Sequence, residues 1–431
     1  MNEYDSNRIL DLVSKVGYSP TSDIDSSNCI IINSCHIREK ATDKIYHEVG
    51  RLKKRFANKH KPTVIISGCV AQAEGDIMIE KEKFIDAVVG PQSYHKISRI
   101  IKNIDEKKKG NYTEFETIEK FDFLKTIKRN NNNKVSAYLT IQEGCNKFCK
   151  FCVVPYTRGP EYSRPFKDIL SEARNLVNDG IKEITLLGQN VNAYKYNNKK
   201  LSDLIYKLNS FKELKRIRYT TSHPKDMSSD LIEVHGKCEK LMPLLHLPVQ
   251  SGSTKILNMM NRKHDIKNYI EIIKNLKKKK KNIKFSSDFI IGYPYEDEKD
   301  FQYTLDLMKE IKFINSYSFI FSPRPGTPAS NLEQVDTNLS RERLKLFQQL
   351  SDKIKLEYRK SLLNEKSKVL FENRTKNSNQ YFGRDEYNNS VIVSSDQDLT
   401  GKIYNVHISE LNQNTLFGKI DFSLNNEYFA A

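Results

Sequence analysis

A chain of 431 residues is too long for one ordinary core and predicts two or three domains. Its 38% hydrophobic content fits globular folding, and its net charge of +17 fits a polyanionic partner such as nucleic acid. Seven cysteines over this length exclude a disulfide scaffold, and no apolar stretch is long enough for a membrane span or a secretory leader, so a reducing, cytoplasmic setting is expected. The runs 277–281 (lysine) and 130–133 (asparagine) also fit solvated surface, so charge alone does not decide a partner.

In chain order, Ile9, Leu10, Leu12, Val13 and Val16 carry helical spacing that stops at Gly17. Strands are predicted over 30–33, ending at Cys35, over 63–67, ending at Gly68-Cys69, and over 87–89, with helices between. That alternation predicts a parallel, flavodoxin-like sheet in an N-terminal domain, 1–106, whose first strand is missing because the chain opens on a helix. Residues 107–133 are polar and without period, and read as a linker. Over 134–361, six strand-like segments (136–141, 183–187, 216–221, 244–247, 283–291, 316–321) alternate with helical stretches. They predict a partial (β/α)6 barrel with its chemistry at the C-terminal strand ends. Beyond a charged helix over 338–363, short strands over 368–372, 390–394, 402–408 and 415–420 predict a small antiparallel β-barrel in 362–424.

Cys145, Cys149 and Cys152 form C-x3-C-x2-C on the loop after the first barrel strand. Three thiolates on one tight loop suit three irons of a cubane [4Fe-4S] cluster, leaving the fourth iron open to an exogenous ligand. A zinc knuckle is the bland alternative, but structural zinc normally takes four protein ligands.

This triplet, in this position, resembles the radical SAM superfamily. Further segments resemble its methylthiotransferase family: Met1-Asn2-Glu3-Tyr4-Asp5-Ser6, Asn33-Ser34-Cys35-His36-Ile37-Arg38, Gly68-Cys69-Val70-Ala71-Gln72 and Cys152-Val153-Val154-Pro155-Tyr156-Thr157-Arg158-Gly159. So do Leu187-Gly188-Gln189-Asn190-Val191, His246-Leu247-Pro248-Val249-Gln250-Ser251-Gly252-Ser253, Asp288-Phe289-Ile290-Ile291-Gly292-Tyr293-Pro294 and Ser322-Pro323-Arg324-Pro325-Gly326-Thr327. The final barrel resembles a TRAM domain, an OB-like RNA-binding module. The resemblance implies that Cys145, Cys149 and Cys152 hold a cluster whose open iron binds S-adenosyl-L-methionine (SAM). Reductive cleavage of SAM would then give a 5′-deoxyadenosyl radical, able to take a hydrogen that no side-chain base could remove. It also implies a second [4Fe-4S] cluster at Cys35 and Cys69, which carries sulfur, and transfer of a methylthio group to C2 of N6-dimethylallyladenosine at position 37 of tRNA. The implied partners are tRNA, a flavodoxin or ferredoxin type electron donor and an iron-sulfur delivery system, with the enzyme a monomer and no membrane association.

The family's third N-terminal ligand lies just before the segment that opens this chain. Either translation starts further upstream than Met1, or the second cluster has lost a ligand. Cys29 and Cys238 read as buried structural thiols. Gln189, Asn190, Gln250, Ser251 and Asp288 sit near strand ends, where they would bind SAM or cap helices and close turns, and Gly292 serves a tight turn or a close backbone approach. Arg158, Arg164 and Arg324 would meet tRNA phosphates, with Arg164 and Arg324 equally placed as loop residues paired to carboxylates. His223 and His264 are scattered, and His246 packs at the barrel mouth. In the last domain Phe382, Tyr387 and Tyr404 would stack on bases or fill the core. Two competing readings remain: a methylthiotransferase for threonylcarbamoyl-adenosine or a ribosomal-protein aspartate, and a non-catalytic metal-containing RNA-binding protein.

Overall fold

The computed structural model describes residues 1–35, 40–106, 109–130, 134–376 and 379–420, and these fall into two compact units. His36, Ile37 and Arg38 of the Cys35 segment lie outside the described residues, as do 107–108, 131–133 and the end of the last domain beyond 420.

The first unit comprises 1–130, 140–164 and 322–331. It opens with α1 (Asn2–Ser14), β1 (Cys29–Ser34), α2 (Lys40–Arg55) and β2 (Thr63–Gly68). Next come α3 (Cys69–Glu74), α4 (Asp76–Lys81), β3 (Ala87–Val89), α5 (Ile97–Asp105), β4 (Gly110–Tyr112) and α6 (Thr117–Leu124). The four strands form one parallel sheet in the order β1-β2-β3-β4. Alternation within β2 explains why helices cover both faces. Ile65 packs with Ile9, Leu12 and Val13 of α1 and with Ile97, Ile100 and Ile101 of α5. Val64 and Ile66 face the other way, toward Ile45 and Val49 of α2 and Val70 and Met78 beyond. β1 lies at the sheet edge and is only half-buried along its whole length.

The linker expected over 107–133 is corrected by β4 and α6, which occupy most of it. β4 adds a fourth strand to the sheet, and Phe121, Leu124 and Ile127 enter the core beside α1 and α5. Three polar-looking residues in a strand and one short amphipathic helix leave almost no periodic signal.

The second unit holds the other described residues, from 134–139, 165–321 and 332–420. Its first strand is β5 (Ser136–Thr140), of which the last residue groups with the first unit. Also in the first unit, β6 (Gln142–Glu143) pairs with β7 (Tyr162–Ser163), and α7 (Val154–Arg158) lies between them. Then follow α8 (Phe166–Asn178), β8 (Glu183–Leu187), the hairpin β9 (Lys195–Tyr196) and β10 (Lys199–Lys200), α9 (Leu201–Asn209), β11 (Arg216–Tyr219) and α10 (Ser229–Lys237). The barrel continues with β12 (Leu244–His246), α11 (Thr254–Met259), α12 (Ile266–Lys279), β13 (Lys284–Ile291), α13 (Glu298–Ile311), β14 (Asn315–Ile320) and α14 (Thr337–Lys360). The strands form two three-stranded sheets, β5-β8-β11 and β12-β13-β14, with a parallel bridge from Ile217 to Leu241 between them. This is the partial six-stranded barrel expected.

The last domain is a closed five-stranded barrel of β15 (Lys366–Arg374), β16 (Gln380–Asp385), β17 (Ser390–Ser394), β18 (Ile403–Leu411) and β19 (Thr415–Ile420). All pairings are antiparallel except β17 with β19. β16 is absent from the sequence reading, which took Gly383 as turn punctuation. That glycine lies within a strand, where a β-carbon would press on the Leu370 carbonyl across the sheet. No helix among the described residues is long and apolar enough to cross a membrane.

His235 of α10 lies buried and bonds the Tyr219 hydroxyl at 2.6 Å. Burial, helped by the nearby Lys280 charge, holds its imidazole down to about 3, from an ordinary 6.5. The unfolded chain protonates this ring below 6.5 while the folded chain does not, so its contribution is complete above 6.5 and fades as pH falls toward 3. At about pH 5 this single group should cost roughly 2 kcal/mol of stability. Urea midpoints at pH 7 and pH 5 should therefore fall further for wild type than for His235→Gln, and equal falls would refute the assignment.

Candidate cluster loops and the buried charge network

The geometry of the first unit's sheet brings two cysteines to one end. Ser34 of β1 stands in register with Gly68 of β2, and each is followed at once by a cysteine, Cys35 and Cys69. Neighbouring parallel strands run about 4.8 Å apart, so both thiols leave the same rim of the sheet. Gly68 has φ 93°, and a β-carbon there would collide with the Ser34 carbonyl, so this closeness needs glycine. Cys69 is buried and opens α3, while Cys35 is half-buried.

Cys145, Cys149 and Cys152 lie on the loop between β6 and α7, with Cys149 buried and the other two half-buried. Backbone bonds shape this loop: Cys145 N–H to the Gly159 carbonyl at 3.2 Å, Cys152 N–H to Cys149 at 2.9 Å, and Ala329 N–H to Lys150 at 3.0 Å. Gly144 enters it with φ 69°, where a β-carbon would run into the Pro160 carbonyl. Burial is the main influence that pushes the Cys145 thiol up to about 11. Three soft sulfur donors on one pinned loop match the chemistry of iron ligation. Among the described residues, however, no three His, Cys, Asp or Glu side chains are already gathered in metal-holding geometry. The loop supplies the right donors and would have to draw its sulfurs together on iron.

Between these two cysteine sets sits a buried network that sequence reasoning missed. Arg158, the last residue of α7, is 2% exposed. Its guanidinium donates to Asp5 at 2.7 Å, to Glu143 at 3.1 Å and to the Cys69 sulfur at 3.3 Å. Glu143 also takes the buried Lys120 ammonium, which lies over the rings of Tyr94 and Phe121. Burial presses Lys120 below its ordinary value, against the pull of Glu143 and Asp5. Burial also opposes the charge on Arg158, but Asp5, Cys69 and Glu143 outweigh it and hold the guanidinium well above its usual range.

The phosphate-binding reading of the three arginines is corrected by their burial. Arg158 is committed to this network. Arg164 donates to the Thr140 carbonyl at 2.6 Å and stacks over Phe121, and Arg324 is 6% exposed. A buried guanidinium cannot reach an RNA backbone.

In the second unit, the residues expected to face SAM follow C-terminal strand ends. Gln189 and Asn190 follow β8, Gln250 and Ser251 follow β12, and Gly292 follows β13, while Asp288 lies within β13. The Asn190 amide donates to Asp226 at 2.6 Å. Gln250 holds φ 81°, strained for a residue with a β-carbon, and its N–H bonds the Asp288 carbonyl at 3.0 Å. Ser251 is buried and accepts from Ser253 N–H, while Ser253 caps α11, so for this serine pair the turn-and-cap reading accounts for the contacts. Asp288 stays partly exposed beside His246 Nε2 at 3.5 Å. Gly292 has φ 68°, and a side chain there would collide with Ser340. His223 and His264 stack edge to face, buried, with burial lowering His264 to about 4. Tyr404 belongs to the core of the small barrel, whereas Phe382 and Tyr387 are half-buried.

Family models add three matches: the radical SAM superfamily over 139–308, the uncharacterized protein family UPF0004 over 1–90, and the TRAM domain over 360–420. Among solved structures, the radical S-adenosylmethionine methyltransferase TsrM from Kitasatospora setae shares the fold, with TM-score 0.58 and 10% identity over 77% of this chain and 71% of that one. Together these define the class, a radical SAM fold carrying an N-terminal sheet domain and a TRAM barrel. The chain is 57% identical to the tRNA-2-methylthio-N(6)-dimethylallyladenosine synthase of Pelagibacter ubique (strain HTCC1062), over 97% of this chain and 95% of that one. It is 47% identical to the enzyme of the same name from Wolbachia pipientis subsp. Culex pipiens (strain wPip), over 97% of each. The chain belongs to this family of radical SAM methylthiotransferases.

Proposed function

We propose that this chain adds a methylthio group to C2 of N6-dimethylallyladenosine at position 37 of tRNA. The observation that carries the reading is 57% identity to a synthase of that name along almost the whole chain, all three domains included. Cys145, Cys149 and Cys152 would hold a [4Fe-4S] cluster, whose chemistry is the one-electron cleavage of SAM that yields a hydrogen-abstracting radical. Gln189, Asn190, Gln250, Ser251, Asp288 and Gly292 would shape the SAM site, with the strained Gln250 turn aiming one polar group, Ser251 closing that turn and Gly292 making room for Ser340 behind it. Cys35 and Cys69 would be two ligands of a second, sulfur-carrying cluster, with the Arg158 guanidinium donating to the Cys69 sulfur beside it. The partners on this reading are tRNA, a flavodoxin or ferredoxin type donor and an iron-sulfur delivery system, and the enzyme works in the cytoplasm as a monomer.

Mass spectrometry of tRNA nucleosides tests the substrate. A deletion strain should lose the methylthio group from dimethylallyladenosine and regain it on complementation. An unchanged nucleoside profile refutes this substrate, and loss of the group from threonylcarbamoyl-adenosine instead assigns the rival one.

A further inference from the structure

The small barrel raises an electrostatic problem for an RNA-binding module. Residues 362–421 carry seven Lys/Arg against eight Asp/Glu, so 7 − 8 = −1. Affinity for a nucleic acid backbone comes mainly from cations, and this domain does not supply an excess of them.

The excess lies next to it in the same unit. At the end of the barrel opposite the strand termini that carry Gln189, Asn190 and Gln250, lysines cluster at the strand starts. Lys182 precedes β8, Lys215 precedes β11, Lys240 precedes β12 and Lys284 opens β13. The small barrel is anchored at this end. Arg216 donates to the carbonyls of Arg384 at 2.8 Å and Lys368 at 2.9 Å, Arg218 to that of Glu386 at 2.9 Å, and the Tyr387 hydroxyl to that of Asn282 at 2.9 Å. Between them lies a cavity of about 410 Å³. Five lysines line it (Lys182, Lys215, Lys240, Lys368 and Lys402) against two carboxylates, Glu239 and Glu386, while Arg216, also at its wall, is buried and committed to the small barrel's carbonyls. Lys215, Lys368 and Lys402 are exposed. Burial, with the neighbouring Lys215 charge, lowers Lys240, against the pull of Glu213.

We propose that this crevice is a docking site for the phosphodiester backbone of the tRNA, in which the radical SAM barrel supplies the cations that the TRAM barrel lacks. The inference rests on tRNA being the substrate. A polyanion fits better than a small anion, because the cations are spread over five chain segments around an open rim, with Lys212, Lys281 and Lys284 exposed nearby. It gives the lysine run at the end of α12 a setting as well: Lys280 holds the Leu241 carbonyl and Lys279 pairs with Glu233 at 2.5 Å, which leaves Lys281 at the rim. These contacts lie away from the strand ends proposed to bind SAM, so they would fix the RNA without touching the reacting base.

The test is the triple variant Lys215→Ala/Lys368→Ala/Lys402→Ala in the full chain. Binding of unmodified tRNA is followed by fluorescence anisotropy from 50 to 300 mM salt (roughly the range where counterion release is read). Affinity should fall roughly tenfold or more, and the slope of log K against log salt should shrink by about 2, the share of three phosphate contacts. The corresponding triple arginine variant should keep both. RNA-free SAM cleavage and the melting temperature should match wild type. Unchanged affinity and slope overturn the proposal, and so does an affinity loss without a change in slope. If wild type itself binds no tRNA, the substrate reading fails first, and this inference with it.

Discussion

Cys149→Ala is expected to abolish reductive SAM cleavage, with 5′-deoxyadenosine falling to background in anaerobically reconstituted, dithionite-reduced protein. The physical reason is that an open cubane needs its three thiolates together. With two, the loop offers the iron no stable seat. Cys149 is the most buried thiol of the three, at 8% exposure, and its carbonyl accepts the Cys152 N–H, a backbone bond that alanine preserves. The variant should therefore fold, with little change in melting temperature, while losing the iron held at this loop. Cys238→Ala is the matched control, since that thiol is buried behind α10 in the other unit. Iron content and 5′-deoxyadenosine that survive Cys149→Ala would remove the cysteine loop from the mechanism. Zinc on that loop in oxygen-free wild type would do the same.

How far the sequence leads depends on whether a signal is local. Apolar runs such as 63–67 and 183–187 announce buried parallel strands, and the six barrel strands and the edge strand β1 lie where that signal puts them. The place of the cysteine loop after the first barrel strand is equally legible, because spacing within eight residues needs no tertiary context. The misses share one cause. β4 and β16 are strands whose partners, not their composition, make them strands: Gly110–Tyr112 completes the sheet beside β3, and Gly383 is there because Leu370 crosses close by. Arg158 illustrates the same limit at the site. An arginine in a loop-like segment reads as a phosphate ligand until Asp5, 153 residues away in sequence, is seen 2.7 Å from it. Burial inverts the meaning of charge, and burial of a charged residue is a property of the assembled unit.

Arg158→Leu is expected to destabilise the first unit by about 3–5 kcal/mol, the usual cost of breaking a buried ion pair by removing one partner. Leucine roughly keeps the apolar bulk, so the loss would come from the charges left behind. Asp5 and Glu143 are 1% and 0% exposed, and both would lose the guanidinium that pairs with them. Thermal or urea unfolding of the metal-free chain measures this directly. A second substitution isolates the electrostatic part: Asp5→Asn added to Arg158→Leu removes one stranded charge and should restore part of the stability, whereas two independent packing defects would add. Arg158→Lys separates the thiol contact from the charge. An ammonium can pair with Asp5 or Glu143, but it lacks the fork that reaches both carboxylates and the Cys69 sulfur together. It should keep most of the stability and still change the environment of Cys69, read as a shifted EPR spectrum of whatever iron that thiol binds. Stability within about 1 kcal/mol of wild type for Arg158→Leu would mean that water reaches this network, and that the arginine holds neither the cysteine loop nor Cys69 in place.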